Sequence, residues 1–158
     1  MSVRRAALEA LTDITENGAY ANLRLKSALF GREERDASFI SALVYTTLDH
    51  LLYIDHILGH FAKGRVNANI RGVLRLGVCQ LMFMNVPASA ACNESVKLAK
   101  EIGKGALSGF VNGVMRSIAR ANETGGLPGL PEDPVDRLCV ECSYPRYIVE
   151  EYVRRYGV

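Results

Sequence analysis

The chain has 158 residues, 49% hydrophobic and 23% charged, a balance that suits one folded domain with a buried core and excludes a disordered tail or a collagen-like fibre. Its most apolar stretch, Leu76 to Val86, falls far short of the roughly 20 residues of a bilayer span, no apolar signal core follows Met1-Ser-Val-Arg-Arg5, and four cysteines in a chain that can hold itself together by packing read as reduced thiols, so a cytoplasmic protein with no membrane partner is expected. The formal net charge of +2 is segregated: residues 1–62 carry six basic and eight acidic side chains, 63–120 nine and two, and 121–158 four and seven, so the middle block, at +7, makes a polyanion the partner to test.

Val3, Ala7, Ala10, Leu11 and Ile14 recur with a period near 3.6, which predicts a first helix ended by Asn17-Gly18. A short second helix is expected from about Asn22 to Phe30, and the charged run Arg32 to Asp36 leads into a third. There Ile40, Leu43, Val44, Thr47, Leu48 and Leu51 share one stripe, which Ile54, Leu58 and Phe61 continue. A fourth helix therefore follows with only a bend between, and Gly64 closes this half.

From Ala68 to Met84 apolar residues lie nearly all round, with Arg75 and Gln80 the main polar interruptions, which predicts a helix at the centre of a bundle. Pro87 stops it, and a further helix runs from about Ala88 to Ile102 with Ser95, Leu98, Ala99 and Ile102 inward. Lys97, Lys100 and Lys104 then share another face, because residues three and four apart are helix neighbours. After Gly103 and Gly105, Ser108 is the expected N-cap of a helix that buries Val111, Val114, Met115 and Ile118 and presents Asn112, Arg116 and Arg120.

Asn122 to Pro134 is rich in proline and glycine and reads as a linker. Beyond it a separate appendage of two short helices is expected, Pro134 to Cys142 and Pro145 to Tyr156, the second with Ser143 near its start and Pro145 in its first turn. It carries Tyr144, Tyr147, Tyr152 and Tyr156, aromatic surface that usually has something to pack against. The fold class is all-α, with the helices either side of Gly64 forming two small subdomains and a short helical extension following.

No arrangement for catalysis emerges from the residues. Cys139-Val-Glu-Cys142 has the spacing of a redox or zinc motif, but it is a single pair with no strand before it. His56 and His60 stand four apart beside Asp55, yet a zinc-protease helix needs a glutamate where Ile57 stands, so they read as surface or partly buried side chains. Gly103-Lys-Gly105 lacks the other residues of a phosphate-binding loop, and Cys79 and Cys92 sit inside helical hydrophobic patterns as core residues. No catalytic residue, metal ligand or cofactor site is assigned.

Four spaced strings, Ile70-Arg-Gly-Val-Leu-Arg-Leu-Gly-Val-Cys-Gln-Leu81, Val86-Pro87, Cys92-Asn-Glu-Ser-Val-Lys-Leu-Ala-Lys100 and Gly109-Phe-Val-Asn-Gly-Val-Met-Arg116, together closely resemble the NusB family. Gly18-Ala-Tyr-Ala-Asn-Leu23, Arg35-Asp-Ala-Ser-Phe39 with Leu43-Val-Tyr-Thr-Thr-Leu48, and Ser143-Tyr-Pro-Arg-Tyr147 are more similar to one branch, the amino-terminal domain of Sun or RsmB-type 16S ribosomal RNA cytosine-5 methyltransferases. Tyr147 stands where that branch usually has tryptophan.

The resemblance implies a NusB-like RNA-binding domain over residues 1–122, a linker over 123–134, and an extension over 135–158 leading toward a methyltransferase domain absent from this chain. The S-adenosylmethionine cofactor is implied for that absent domain and none for this chain, and Cys79, Cys92, Cys139 and Cys142 inherit no nucleophile role. The chain is thus expected to be an excised or truncated RNA-recognition domain.

The expected partner is 16S rRNA, held by phosphate contacts from Arg4, Arg5, Lys97, Lys100, Arg116 and Arg120, with Arg75 a weaker candidate. Phe110 is read as core or as a stacking platform for an unpaired base, and Asn112 as a reader of a base edge or a cap on local backbone. Three rival readings are a free-standing NusB-type antitermination factor, a protein-interaction module that never touches RNA, and a metalloprotein using the histidine pair. A homodimer through the tail tyrosines is also open.

Overall fold

Ser2 begins the first helix: its Oγ accepts the Arg5 backbone N–H at 3.1 Å, satisfying one of the donors that a helix start leaves unpaired. The computed structural model describes residues 1–157, so Val158, the last residue of the expected extension, lies outside the described residues. Along them run α1 (Val3–Asn17), α2 (Ala21–Leu29), α3 (Glu34–Asp49), α4 (Leu51–Phe61), α5 (Ala68–Phe83), α6 (Ala88–Glu101), α7 (Ser108–Thr124), α8 (Pro134–Cys142) and α9 (Arg146–Tyr156). Among the described residues there is no strand, and no single helix is long and apolar enough to cross a membrane.

The expected bend between the third and fourth helices is a 76° corner at His50, whose ring stacks on Phe83 with centroids 3.9 Å apart. Helix α5, buried without a break from Gly72 to Gln80, is enclosed by a ring in which α1, α6, α7, α4 and α3 each touch the next and all five touch α5. Two glycines let the ring close. A Cβ on Gly72 would lie 2.6 Å from Leu8 Cδ1, and one on Gly77 would lie 2.5 Å from Ser95 Oγ and 2.8 Å from Met115 Sδ. The helices either side of Gly64 therefore share one hydrophobic core across α5. Its buried hydroxyls are satisfied inside their own helices, Thr47 Oγ1 on Leu43 O at 2.7 Å and Ser95 Oγ on Ala91 O at 2.8 Å.

Three boundaries differ from expectation. Ser108 is the first helical residue rather than the N-cap, because a 3-10 turn over Gly105–Leu107 runs straight into α7 and Gly105 O already receives the Ser108 N–H. Helix α7 continues to Thr124 before Gly125 turns it at φ 76°, so the linker is shorter than expected. Ser143 closes α8 in the left-handed region at φ 55°, and Pro145 is the N-cap of α9, not a residue of its first turn. Lys104 likewise lies beyond the end of α6, its N–H bonded back to Ala99 O at 2.8 Å.

The appendage is not separate. Helix α8 packs along α4, and His56 Nε2 lies 2.7 Å from Gly129 O in the linker; a carbonyl can only accept, so that ring nitrogen carries the proton. Helix α9 rests on α8 and leaves Tyr144, Tyr147, Tyr152 and Tyr156 between 56% and 73% exposed.

Replacing Gly77 by valine would push two methyl groups into Ser95 and Met115, and the expected loss is about 3 kcal/mol of stability, read as a lower urea midpoint at unchanged slope. A second test uses Asp13, which ties α2 to α1 by accepting from Arg24 Nε at 2.6 Å. That hydrogen bond holds the carboxyl below its ordinary value of 3.8. The folded state thus prefers the carboxylate, and the pair's contribution is complete above the ordinary value and is lost as the pH falls through the depressed one. The stability gap between wild type and Asp13→Asn should be constant near neutrality and shrink on acidification.

Candidate nucleic-acid interface

The inward side of α6 is Cys92, Ser95, Leu98 and Ala99, all buried, which turns Asn93, Lys97 and Lys100 to solvent. In α7 the buried side is Val111, Val114, Met115 and Ile118, so Gly109, Gly113, Arg116 and Arg120 form the outer stripe. A short connection makes α6 and α7 antiparallel neighbours, and a groove between them is lined by Asn93, Val96, Lys97, Ser108, Gly109 and Asn112. At its edge Asn112 Oδ1 accepts from Arg116 Nε at 3.0 Å, one turn along the helix. The amide thereby aims the guanidinium and leaves its terminal nitrogens for another partner.

Along the other flank of α6 the amino-terminal arginines are already engaged. Arg4 Nε donates to Gln80 Oε1 at 2.8 Å, its Nη1 lies 3.6 Å from Glu94, and its guanidinium carbon stands 5.0 Å from the centre of the Phe39 ring. One side chain thus links α1, α3, α5 and α6. Arg5 lies 3.4 Å from Glu9 and donates to Glu101 O, also at 3.4 Å, while Lys97 Nζ is 3.6 Å from Glu94. By contrast Lys100, Arg116 and Arg120 enter no ion pair among the described residues. The face is therefore graded, compensated at the α1 edge and uncompensated toward α7.

Two expected site residues lie elsewhere. Arg75 is on the α4 side of α5, where its Nε and Nη2 donate to the two Asp55 oxygens at 2.8 and 2.9 Å and its side chain is only 10% exposed. Its pairing is internal and it takes no part in the α6–α7 face. Phe110, at 38% exposed, is not a core residue. It sits roughly 160° around α7 from Asn112, on the flank away from the groove. Sequence reading did not connect Gln80 and Glu94 with Arg4, which they hold; the only available signal was Gln80 as one of the two main polar interruptions of α5.

Of the four free cysteines, Cys79, Cys92 and Cys139 are buried and Cys142 is exposed. Burial pushes the Cys79 thiol up to about 11, and burial also raises Cys92, against the pull of nearby Arg116, and Cys139. They remain protonated thiols at neutral pH. His60 Nδ1 lies 3.0 Å from His56 O, and among the described residues no three His, Cys, Asp or Glu side chains gather as a metal site.

A bundle of this architecture with these motifs places the protein in a family of helical domains, and the family profile of NusB matches residues 1–120. The chain belongs to the NusB family. Among its relatives is a probable ribosomal RNA small subunit methyltransferase B of Bacillus subtilis, 38% identical over 99% of this chain and 36% of that protein. Another of the same description, from Synechocystis, is 31% identical over 99% and 36%. The transcription antitermination protein NusB of Bacillus velezensis is 33% identical over 74% of this chain and 92% of its own length. The chain thus spans about a third of the methyltransferase relatives, by the 36% coverage, and its match to them takes in α8 and α9. Among solved structures, a chain in the crystal structure of a plectonemic RNA supercoil superposes with TM-score 0.72 at 26% identity, covering 77% of this chain and 94% of that one. The solution structure of NusB from Aquifex aeolicus gives 0.65 at 25% identity, covering 82% and 93%.

If Arg75 is a fold residue, Asp55→Ala should remove about 3 kcal/mol by stranding a buried guanidinium, seen in chemical denaturation. Gly113 offers the opposite outcome: it is helical and exposed with nothing within 4 Å of an added Cβ. Gly113→Ala should therefore raise stability by about 1 kcal/mol in the same assay.

Proposed function

We propose that this chain is the RNA-recognition domain of a 16S rRNA cytosine-5 methyltransferase and that it grips ribosomal RNA along α6 and α7. The observation that carries the reading is the set of uncompensated cations, Lys100, Arg116 and Arg120, ranged beside the Asn112 groove. Cations outside any ion pair gain most from a phosphate backbone, since none has to surrender a bonded carboxylate. Lys97 and Arg5 extend the contact toward α1, and Arg4 positions the helices that carry it. Phosphate contacts fix register, while the Asn112 amide at the groove edge is the group suited to a base edge.

The coverage of the relatives supports the methyltransferase assignment over a free-standing antitermination factor. The methyltransferase relatives match 99% of the chain, whereas the NusB protein of Bacillus velezensis matches 74%. In this reading methyl transfer belongs to the remainder of the longer protein. S-adenosylmethionine, whose expected setting is a strand followed by a glycine-rich loop, belongs in this reading to that remainder as well.

Titration of the chain with a fluorescent 16S rRNA fragment over a range of salt concentrations tests the proposal. Affinity should fall steeply with salt, by a log–log slope of about −0.7 for each single-strand phosphate contact. Combining Lys100→Gln, Arg116→Gln and Arg120→Gln should reduce that slope by about 2 without changing the melting temperature. Absence of binding at low salt would overturn the RNA reading in favour of a protein-interaction module.

A further inference from the structure

On the side of α5 away from α6, a cavity of about 260 Å³ opens between α4 and α5. Two arginines border it, Arg71 and Arg75, with Asp55, Leu58, Gly59 and Val66 among the other lining residues. The Asp55 carboxylate is spent within the chain, both its oxygens accepting from Arg75. That side-on pairing uses Nε and Nη2 of Arg75 and leaves Nη1. Arg71 donates from Nη2 to Val66 O at 3.2 Å and enters no ion pair among the described residues, so its Nε and Nη1 are also uncommitted. Lys63 and Arg65, exposed on the connection between the two helices, likewise pair with no carboxylate there.

Gly59 adds an independent observation. It lies inside α4, where glycine costs about 1 kcal/mol relative to alanine, and nothing lies within 4 Å of an added Cβ. No packing contact in the chain demands glycine there, but its missing side chain leaves the cavity wall open.

We propose that this cavity is an oxyanion pocket that takes a phosphate group between Arg71 and Arg75. Asp55 holds the Arg75 fork in place, so one guanidinium is pre-oriented before the ligand arrives, and the more loosely held Arg71 completes the clamp. The phosphate could reach it on a free phosphate compound or on an RNA backbone, and either satisfies the same donors. The pocket stands apart from the α6–α7 face, so it holds or fails separately from the RNA reading.

The test is a titration of the whole chain with inorganic phosphate at ionic strength held constant with chloride, following the arginine Nε–Hε resonances by NMR. Saturable shifts of Arg71 and Arg75 are expected in wild type and in Lys100→Gln. Binding should weaken about tenfold or more in Arg71→Gln. Gly59→Met, which keeps both cations but projects a side chain into the cavity, should have the same effect. Absence of a saturable shift in the wild type, or an unchanged isotherm in both pocket variants, would overturn the proposal. Given phosphate binding, the same variants in the 16S rRNA titration identify the carrier: a parallel loss of RNA affinity assigns the phosphate to the RNA backbone, and unchanged RNA affinity assigns it to a free phosphate compound.

Discussion

The enclosure of α5 is the constraint on which the rest of the molecule depends. A stretch of helix buried without a break, as Gly72 to Gln80 is, must be wrapped on every side, and five helices do this only because Gly72 and Gly77 admit Leu8, Ser95 and Met115 at short range. Once the ring is closed, the outward faces of its members are fixed. Helices α6 and α7 bury five and four residues against the centre and must turn Lys97, Lys100, Arg116 and Arg120 outward. The cationic surface is thus a geometrical consequence of the core, and the one polar residue of α5 directed toward α1, Gln80, is satisfied by Arg4 and by Leu76 O.

Charge is treated differently at different points of this ring. Where two helices must be joined, as α1 to α6 or α4 to α5, an arginine meets a carboxylate and its charge is consumed locally. Where a surface faces outward, as along α7, the same residue type is left without a counter-charge. Exposed pairs add little stability, so the lack of an ion pair at Arg116 and Arg120 sacrifices little while leaving a positive potential over that surface. The formal +7 of the middle block therefore divides into at least three parts: a buried pair at Arg75, a set on α6 and α7, and a set on the connection between α4 and α5.

Much of this was legible in the sequence because it is local. The 3.6-residue period placed the seven helices of the bundle, and proline and glycine marked their ends to within a few residues. Inward residues of α7 could be named because they lie on one helix at fixed spacing. The pairing of Arg75 could not be read, since its partner Asp55 is 20 residues away and comes near only when α4 folds back on α5. Nor could the docking of the tail, because the pattern of α8 shows that it has an apolar side but not that α4 will receive it. Phe110 shows the same limit: its neighbours in sequence are regular helix, and only the position of the other helices leaves that flank uncovered.

What a Cβ would meet at each helical glycine separates the demands of the fold from those of the surface. Gly72 and Gly77 have neighbours inside 3 Å, so their conformational cost is offset by packing within the chain. Gly59, Gly109 and Gly113 are helical as well and meet nothing within 4 Å, so the folded chain gains no contact from them. Their positions are not scattered. Gly59 borders the arginine cavity, Gly109 lines the α6–α7 groove, and Gly113 lies one turn further along the stripe that ends in Arg116 and Arg120. A backbone left bare beside uncommitted cations can be approached closely by a bulky anion, as it could not be beneath an alanine or a leucine. The helical glycines that no packing contact requires thus lie beside the arginine cavity and along the α6–α7 face, where Arg71, Lys100, Arg116 and Arg120 enter no ion pair among the described residues.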